Sequence, residues 1–215
     1  VTSYVKPYLL NTFDCAIVNG VLEWIPESGV VELKSYFGKY GQKSYFGNPG
    51  RQQLRFLKSV RQCLKPNGKV YLAIENRYGY EMLFGSGDPH TGIPFVSILP
   101  RWAANLVSNA KLGRPYVNWL YSFKGLERLL NEAGFKNVDL YTCFPDYRFP
   151  ERIIPYGGSL CGVVSTGWPP NKNGVKRSLF RRVIRKLIGG GKRELVFNIL
   201  KARSLSPSII AVGRK

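Results

Sequence analysis

The sequence is short of acid. Against 32 Lys and Arg it carries 13 Asp and Glu, a formal net charge of +19 over 215 residues. So one-sided a balance excludes an acidic surface and favours an anionic partner: nucleic acid, an acidic membrane surface or a phosphorylated substrate. The shortage is uneven. Residues 1–150 hold 18 basic and 11 acidic side chains, net +7, whereas 151–215 hold 14 and 2, net +12. The basic excess belongs mostly to the tail. Histidine occurs once, at position 90. The four cysteines, at 15, 63, 143 and 161, have no spacing that resembles a zinc or redox motif, so no metal site is predicted. Cys15 and Cys63 stand among apolar positions and read as reduced, buried thiols. There is neither a signal peptide nor an apolar run of membrane-spanning length, which with free thiols points to a cytoplasmic protein. The chain begins with Val1, as a fragment or processed piece would.

What is present suffices for a packed core: 44% of residues are hydrophobic and 13% aromatic. The stretch Leu64–Gly79, LKPNGKVYLAIENRYG, organises the rest. A helix ends at Lys65-Pro66, Asn67-Gly68 turns, and Lys69–Ile74 is apolar enough for a buried strand. Its end switches abruptly to Glu75-Asn76-Arg77, where an open α/β sheet places ligands. Upstream, Phe13–Val18 reads as a strand ending in Asn19-Gly20, followed by Val21-Leu22-Glu23-Trp24-Ile25. Phe56, Leu57, Val60, Cys63 and Leu64 form one apolar helix face within 52–64, so strand 13–18, this helix and strand 69–74 make a parallel crossover unit.

Other elements follow the same rules. Val30, Leu33 and Phe37 suggest a two-turn helix, and Ser-Tyr-Phe-Gly occurs twice between Ser35 and Gly47, as in a duplicated loop. Gly79–Val96 is a Gly- and Pro-rich loop holding His90. Pro100 starts a helix to Gly113 with Trp102, Leu106 and Leu112 available for packing, and the aromatic cluster at 116–123 reads as lid or core. Ser122 caps a helix bearing Leu126, Leu129, Leu130 and Ala133, stopped by Gly134-Phe135; Val138–Cys143 is the next strand and 145–150 closes it. Beyond Pro155 the expectations are a strand over 160–165, a linker over 167–174, a basic amphipathic helix over 175–188, a break at Gly189–Gly191, a second helix over 194–202 and a last strand at Ile209–Val212.

Taken in order, FDCAIVNGVLEWIP, the Phe56 helix, LKPNGKVYLAIENRYG, YSFKGLERLLNEAGF and the strand after it resemble the second half of a class I S-adenosylmethionine-dependent methyltransferase. AIENRYG, GDPHTG and FPDYRFP further resemble the methyltransferase units of bacterial polysaccharide and glycan modification. The resemblance spans roughly residues 8–155. It implies a Rossmann-like α/β domain over 1–155; the residues after it read by their own pattern as a basic helical extension over 156–215 with a last strand. A complete member also has a Gly-rich loop after its first strand and an acidic residue that binds the cofactor ribose, and no G-x-G pattern precedes Phe13. The N-terminal strands and that loop are therefore expected to be missing, or supplied by a separate chain.

From the resemblance, Asn19, Gly20, Val21, Leu22 and Glu23 are expected to flank S-adenosylmethionine, the alternative being a plain strand-end turn. Glu75, Asn76 and Arg77 are expected to face a saccharide or lipid-linked glycan, or else to form a surface turn; an amide and a carboxylate hold hydroxyls and an Arg clamps phosphate. His90 is the candidate general base, with Glu75 as the second catalytic residue and Asp88 as the orienter of His90; a hydrogen-bonded structural histidine is the plainer reading. Asp146 and Tyr147 line the acceptor pocket or merely end a strand. Helix 175–188 has three readings: peripheral membrane contact, nucleic-acid contact, or a packed helix with a solvated face. The functional expectation is methyl transfer to a glycan hydroxyl; the alternative is a noncatalytic module binding an anionic partner through its tail. Membrane contact ranks ahead of nucleic acid because glycan acceptors can be lipid-linked, and an RNA methyltransferase anchored by the basic tail ranks lower because the loop signatures point to glycans. Strand 13–18 is expected to be an exposed apolar edge.

Overall fold

The computed structural model describes residues 6–26, 48–150, 152–157 and 203–215. Five strands, β1 (Phe13–Asn19), β2 (Leu64–Glu75), β3 (Lys136–Phe144), β4 (Arg152–Pro155) and β5 (Ser208–Arg214), form one mixed sheet in the order β1-β2-β5-β3-β4. β1 and β2 are parallel, joined by a crossover that includes α1 (Pro49–Cys63). β5 runs antiparallel to both β2 and β3, and β4 antiparallel to β3. Helices α2 (Tyr80–Leu83), α3 (Arg101–Leu112) and α4 (Phe123–Glu132) follow among the described residues. The architecture is the expected Rossmann-like α/β class. The last strand, read from sequence as part of the C-terminal extension, lies inside the sheet rather than beside it.

Local chemistry sets the elements. The Asn48 Oδ1 accepts from Gly50 N at 2.9 Å and Pro49 opens α1, two N-terminal signals that start the helix before the apolar stripe begins. Between Leu64 and Lys69 the chain bulges out of the β1–β2 ladder, with Asn67 at φ 62°, so strand pairing begins at Leu64 and resumes at Lys69. Ser122 caps α4, accepting from Gly125 N, and Gly134 at φ 96° ends it. Leu57 of α1 and Leu126, Leu129 and Leu130 of α4 pack on Val70, Leu72, Ile74, Ile209 and Ala211 on one face of the sheet. A smaller cluster, Ala73, Cys143, Tyr147 and Ile210, occupies the other.

The structure changes some expectations. Trp102, Leu106 and Leu112 are exposed, because α3 turns the short side chains of Ala104 and Ser108 inward toward a small cluster of Ile93, Val96 and Tyr116. Cys15 is exposed, since β1 has β2 as its one neighbour among the described residues, and Cys63 at the end of α1 is half-buried; of the described thiols Cys143 is the buried one. β4 is an added edge strand. Ile17 of β1 is 73% exposed, in keeping with an open apolar edge. The expected helix at 30–37, the Ser-Tyr-Phe-Gly repeat and the elements between 160 and 202, including 175–188, lie outside the described residues. No helix among the described residues is long and apolar enough to cross a membrane.

Candidate functional site

Two parallel strands ending side by side create the site. Gly20 N donates to Ala73 O at 2.9 Å, which ties the end of β1 to the end of β2. Gly20 stands at φ 62°, and a Cβ there would lie 2.5 Å from the Tyr147 Oη, so glycine is required both by the backbone and by the phenol behind it. Asn19 and Val21 stay exposed, while the 3-10 turn Leu22–Trp24 carries Leu22 and Glu23 inward. Two amides fasten that turn. Gln53 Nε2 donates to Leu22 O at 3.0 Å, and Asn118 Nδ2 to Glu23 O at 3.2 Å.

The inward turn delivers the Glu23 carboxylate to Glu75 and His90. Ligand-capable atoms of the three side chains all lie within 4.8 Å of one another. His90 Nε2 is 3.7 Å from Glu75 Oε2, and the imidazole side chain is 3% exposed. Tyr147 Oη donates to Glu75 Oε1 at 3.2 Å, and Trp24 packs edge-on against the His90 ring with centroids 4.7 Å apart. Burial first, and then the Glu75 charge, push the Glu23 carboxyl up to about 7. For His90 burial disfavours the charge, but Glu75, Asp88 and Glu23 outweigh it and leave the pKa raised. Burial and Glu75 also raise the Tyr147 hydroxyl, which stays a donor.

The remaining candidates are placed differently. Asp88 Oδ1 accepts from the backbone N–H of His90 (3.0 Å) and Thr91 (2.9 Å) and from the Thr91 hydroxyl (3.0 Å), while Oδ2 accepts from the buried Tyr116 Oη at 3.0 Å. It positions His90 through the main chain, not through the ring. Asn76 is fully buried, its Nδ2 donating to Ser204 O (2.7 Å) and Ser206 O (2.8 Å). Arg77 donates to Ser97 O (2.7 Å) and Leu99 O (2.6 Å), so its guanidinium ties down the 97–99 turn. Asp146 is held by the guanidinium of Arg148, with Nε 2.8 Å from Oδ2. The structure thus brings together Glu23, Glu75, His90 and Tyr147, with Asp88 behind them, and gives Asn76, Arg77 and Asp146 protein partners.

Sequence reading assigns Glu23 to the cofactor edge and leaves out Trp24, Gln53, Asn118 and Tyr116. One signal was available: Gln53 is a polar residue one helical turn before Leu57, on the apolar stripe of α1, where a buried amide must have partners.

No protein-family model matches the chain, and no curated protein matches it. Among solved structures it is similar to an S-adenosylmethionine-dependent methyltransferase from Thermotoga maritima, described as a possible histamine N-methyltransferase. The identity is 12% and the TM-score 0.41, over 100% of this chain and 62% of that one. A second is an S-adenosylmethionine-dependent methyltransferase from Archaeoglobus fulgidus, with 12% identity and a TM-score of 0.39, over 97% and 63%. The chain spans less than two thirds of the length of each.

Proposed function

We propose that the chain performs S-adenosylmethionine-dependent methyl transfer to a hydroxyl of a saccharide or lipid-linked glycan, or forms the acceptor-binding half of such an enzyme. One observation carries the reading. The carboxyl ends of adjacent parallel strands, where open α/β sheets bind ligands, present Asn19–Trp24 beside Glu75, and a loop adds the only histidine. The residues present fit one wall of a cofactor site: Asn19 offers an amide, and the exposed Val21 and half-exposed Trp24 offer apolar and aromatic surface to an adenine ring. When bound, the cofactor supplies an electrophilic methyl on sulfonium sulfur. The protein then has to align the acceptor oxygen, exclude water and receive a proton.

Glu75 and His90 are assigned to that proton. As the methyl group bonds to the acceptor oxygen, the oxygen's proton leaves, and the buried carboxylate–imidazole pair is the nearest group able to draw it away. Trp24, itself exposed, covers the imidazole edge-on, and its indole has to move for an acceptor to reach the buried pair. Asp88 keeps the His90 backbone in place, and Tyr147 holds Glu75.

The test is transfer of labelled methyl from S-adenosylmethionine to a panel of saccharides and lipid-linked glycans. The expected product is a methyl ether, stable to mild alkali where a methyl ester is cleaved. Glu75→Gln and His90→Ala are expected to lower kcat about 10²- to 10⁴-fold with cofactor affinity retained. Undiminished transfer in both variants would remove these residues from the chemistry.

A further inference from the structure

The groups at positions 23, 75 and 90 pose a problem of their own. Glu23 is 0% exposed, and among the described residues neither of its carboxylate oxygens has a hydrogen-bond partner; the same holds for Glu75 Oε2 and for both ring nitrogens of His90. Five buried polar atoms without such partners, on three side chains of which two are acidic, are costly to leave unmet in a native fold. Nearby donors are engaged elsewhere: Tyr147 Oη reaches only Glu75 Oε1, Asn118 Nδ2 is on the Glu23 carbonyl, and Gln53 Nε2 is on Leu22 O and Trp119 O. The backbone nevertheless aims Glu23 inward through two separate side-chain fastenings. Among the described residues the one further donor nearby is His90 Nε2, 3.7 Å from Glu75 Oε2 and beyond hydrogen-bond distance, so a ligand from outside can satisfy the carboxylates.

We infer that Glu23, Glu75 and His90 form a binding site for a divalent first-row transition ion. The donor set is two carboxylate oxygens and one imidazole nitrogen, and the nitrogen favours manganese, iron, cobalt or zinc over magnesium or calcium. Ligand atoms around one such ion stand roughly 3 Å apart, given bonds of about 2.0–2.2 Å. The 3.7 Å between His90 Nε2 and Glu75 Oε2 is close to that already, and the widest separation in the trio, 4.8 Å, closes with side-chain rotations of under about 2 Å. Two more features suit a metal centre. Tyr147 Oη donates to the Glu75 oxygen that faces away from His90, the kind of outer contact that orients a ligating carboxylate, and Asp88 fixes the backbone of the ligating histidine. Ion and protons compete for the same atoms, so Glu75 and His90 hold one or the other; a bound ion would supply Lewis acidity toward an oxygen placed beside it. The binding claim itself needs neither cofactor nor acceptor and stands apart from methyl transfer.

The experiment is a calorimetric titration of the chelator-treated full chain with Mn²⁺, chosen because manganese has little affinity for the exposed thiol of Cys15. The free-Mn²⁺ electron paramagnetic resonance signal gives an independent count of bound ion. The expected result is one ion per chain at micromolar affinity, with Mg²⁺ far weaker. Glu23→Gln is expected to weaken Mn²⁺ more than about 100-fold while Asp146→Asn leaves it unchanged. Wild-type chain that shows a cooperative thermal transition but no Mn²⁺ binding below millimolar would overturn the inference. So would equal affinity in a Glu23→Gln variant with that same transition. If that variant does not fold, the wild-type titration and His90→Ala decide the matter.

Discussion

At Gly20 two requirements coincide, since the backbone is left-handed and the Tyr147 phenol occupies the space of any side chain. Gly20→Ala should therefore cost about 1–3 kcal/mol and part Tyr147 from Glu75. Urea denaturation reads the first effect, and tyrosine absorbance of the folded variant reads the second. Asn76 behaves as a latch. Its amide satisfies two carbonyls of the 204–206 segment, and its N–H donates to Pro207 O at 2.8 Å. Asn76→Ala is expected to destabilise by about 1–3 kcal/mol, because two carbonyls then lack their donor; a denaturation midpoint equal to wild type would show that water replaces the amide. The thiols should part company in the same way. Burial first, then Asp146, push Cys143 up to about 12, whereas Cys15 is exposed. Iodoacetamide at pH 8 is expected to label Cys15 and leave Cys143 unmodified in native protein, by peptide mass spectrometry.

Among elements, the crossover β1–α1–β2 and the capped helix α4 follow rules of period and punctuation, which is why both were legible in the sequence. Leu126, Leu129 and Leu130 lie on one stripe after a Ser cap, and all three are buried. Leu126→Ala is expected to cost about 2–5 kcal/mol, measured by denaturation, since the residue is fully buried under the sheet. Helix α3 departs from its pattern: its largest side chains suggest packing, yet small residues set its contact, and Trp102 at 69% exposure faces out. Periodicity reveals that a helix has faces but not which neighbour it meets. The position of β5 was equally hidden. Its apolar run announces a strand, but insertion between β2 and β3 depends on pairing across more than 60 residues, which no local pattern encodes. β1 keeps an open side among the described residues, and its outward amides should exchange with solvent within minutes while those bonded to β2 persist.

For the molecule as a whole, fold and site were legible to different depths. Glu75 and His90 could be proposed from one chemical switch at a strand end and one rare residue. That Glu23 joins them could not, because the meeting depends on a 3-10 turn fastened by Gln53 and Asn118 from two other segments. Asn76 and Arg77 look like ligand-binding groups in sequence, and burial gives them backbone partners instead. The charge asymmetry belongs to another level again. With 14 basic and 2 acidic residues after position 150, the tail is proposed to contact anionic surfaces, and binding to acidic lipid vesicles should weaken steeply between 50 and 200 mM salt.

Whether the ends of β1 and β2 receive the cofactor decides the role of Asn19–Trp24. The most direct measurement is calorimetric titration of the 215-residue chain with S-adenosylhomocysteine. The expected result is micromolar binding that is lost in a Val21→Asp variant retaining the wild-type thermal transition. A titration without heat across several temperatures, on a chain whose thermal transition shows it folded, would contradict the assignment of Asn19–Trp24 as a cofactor wall.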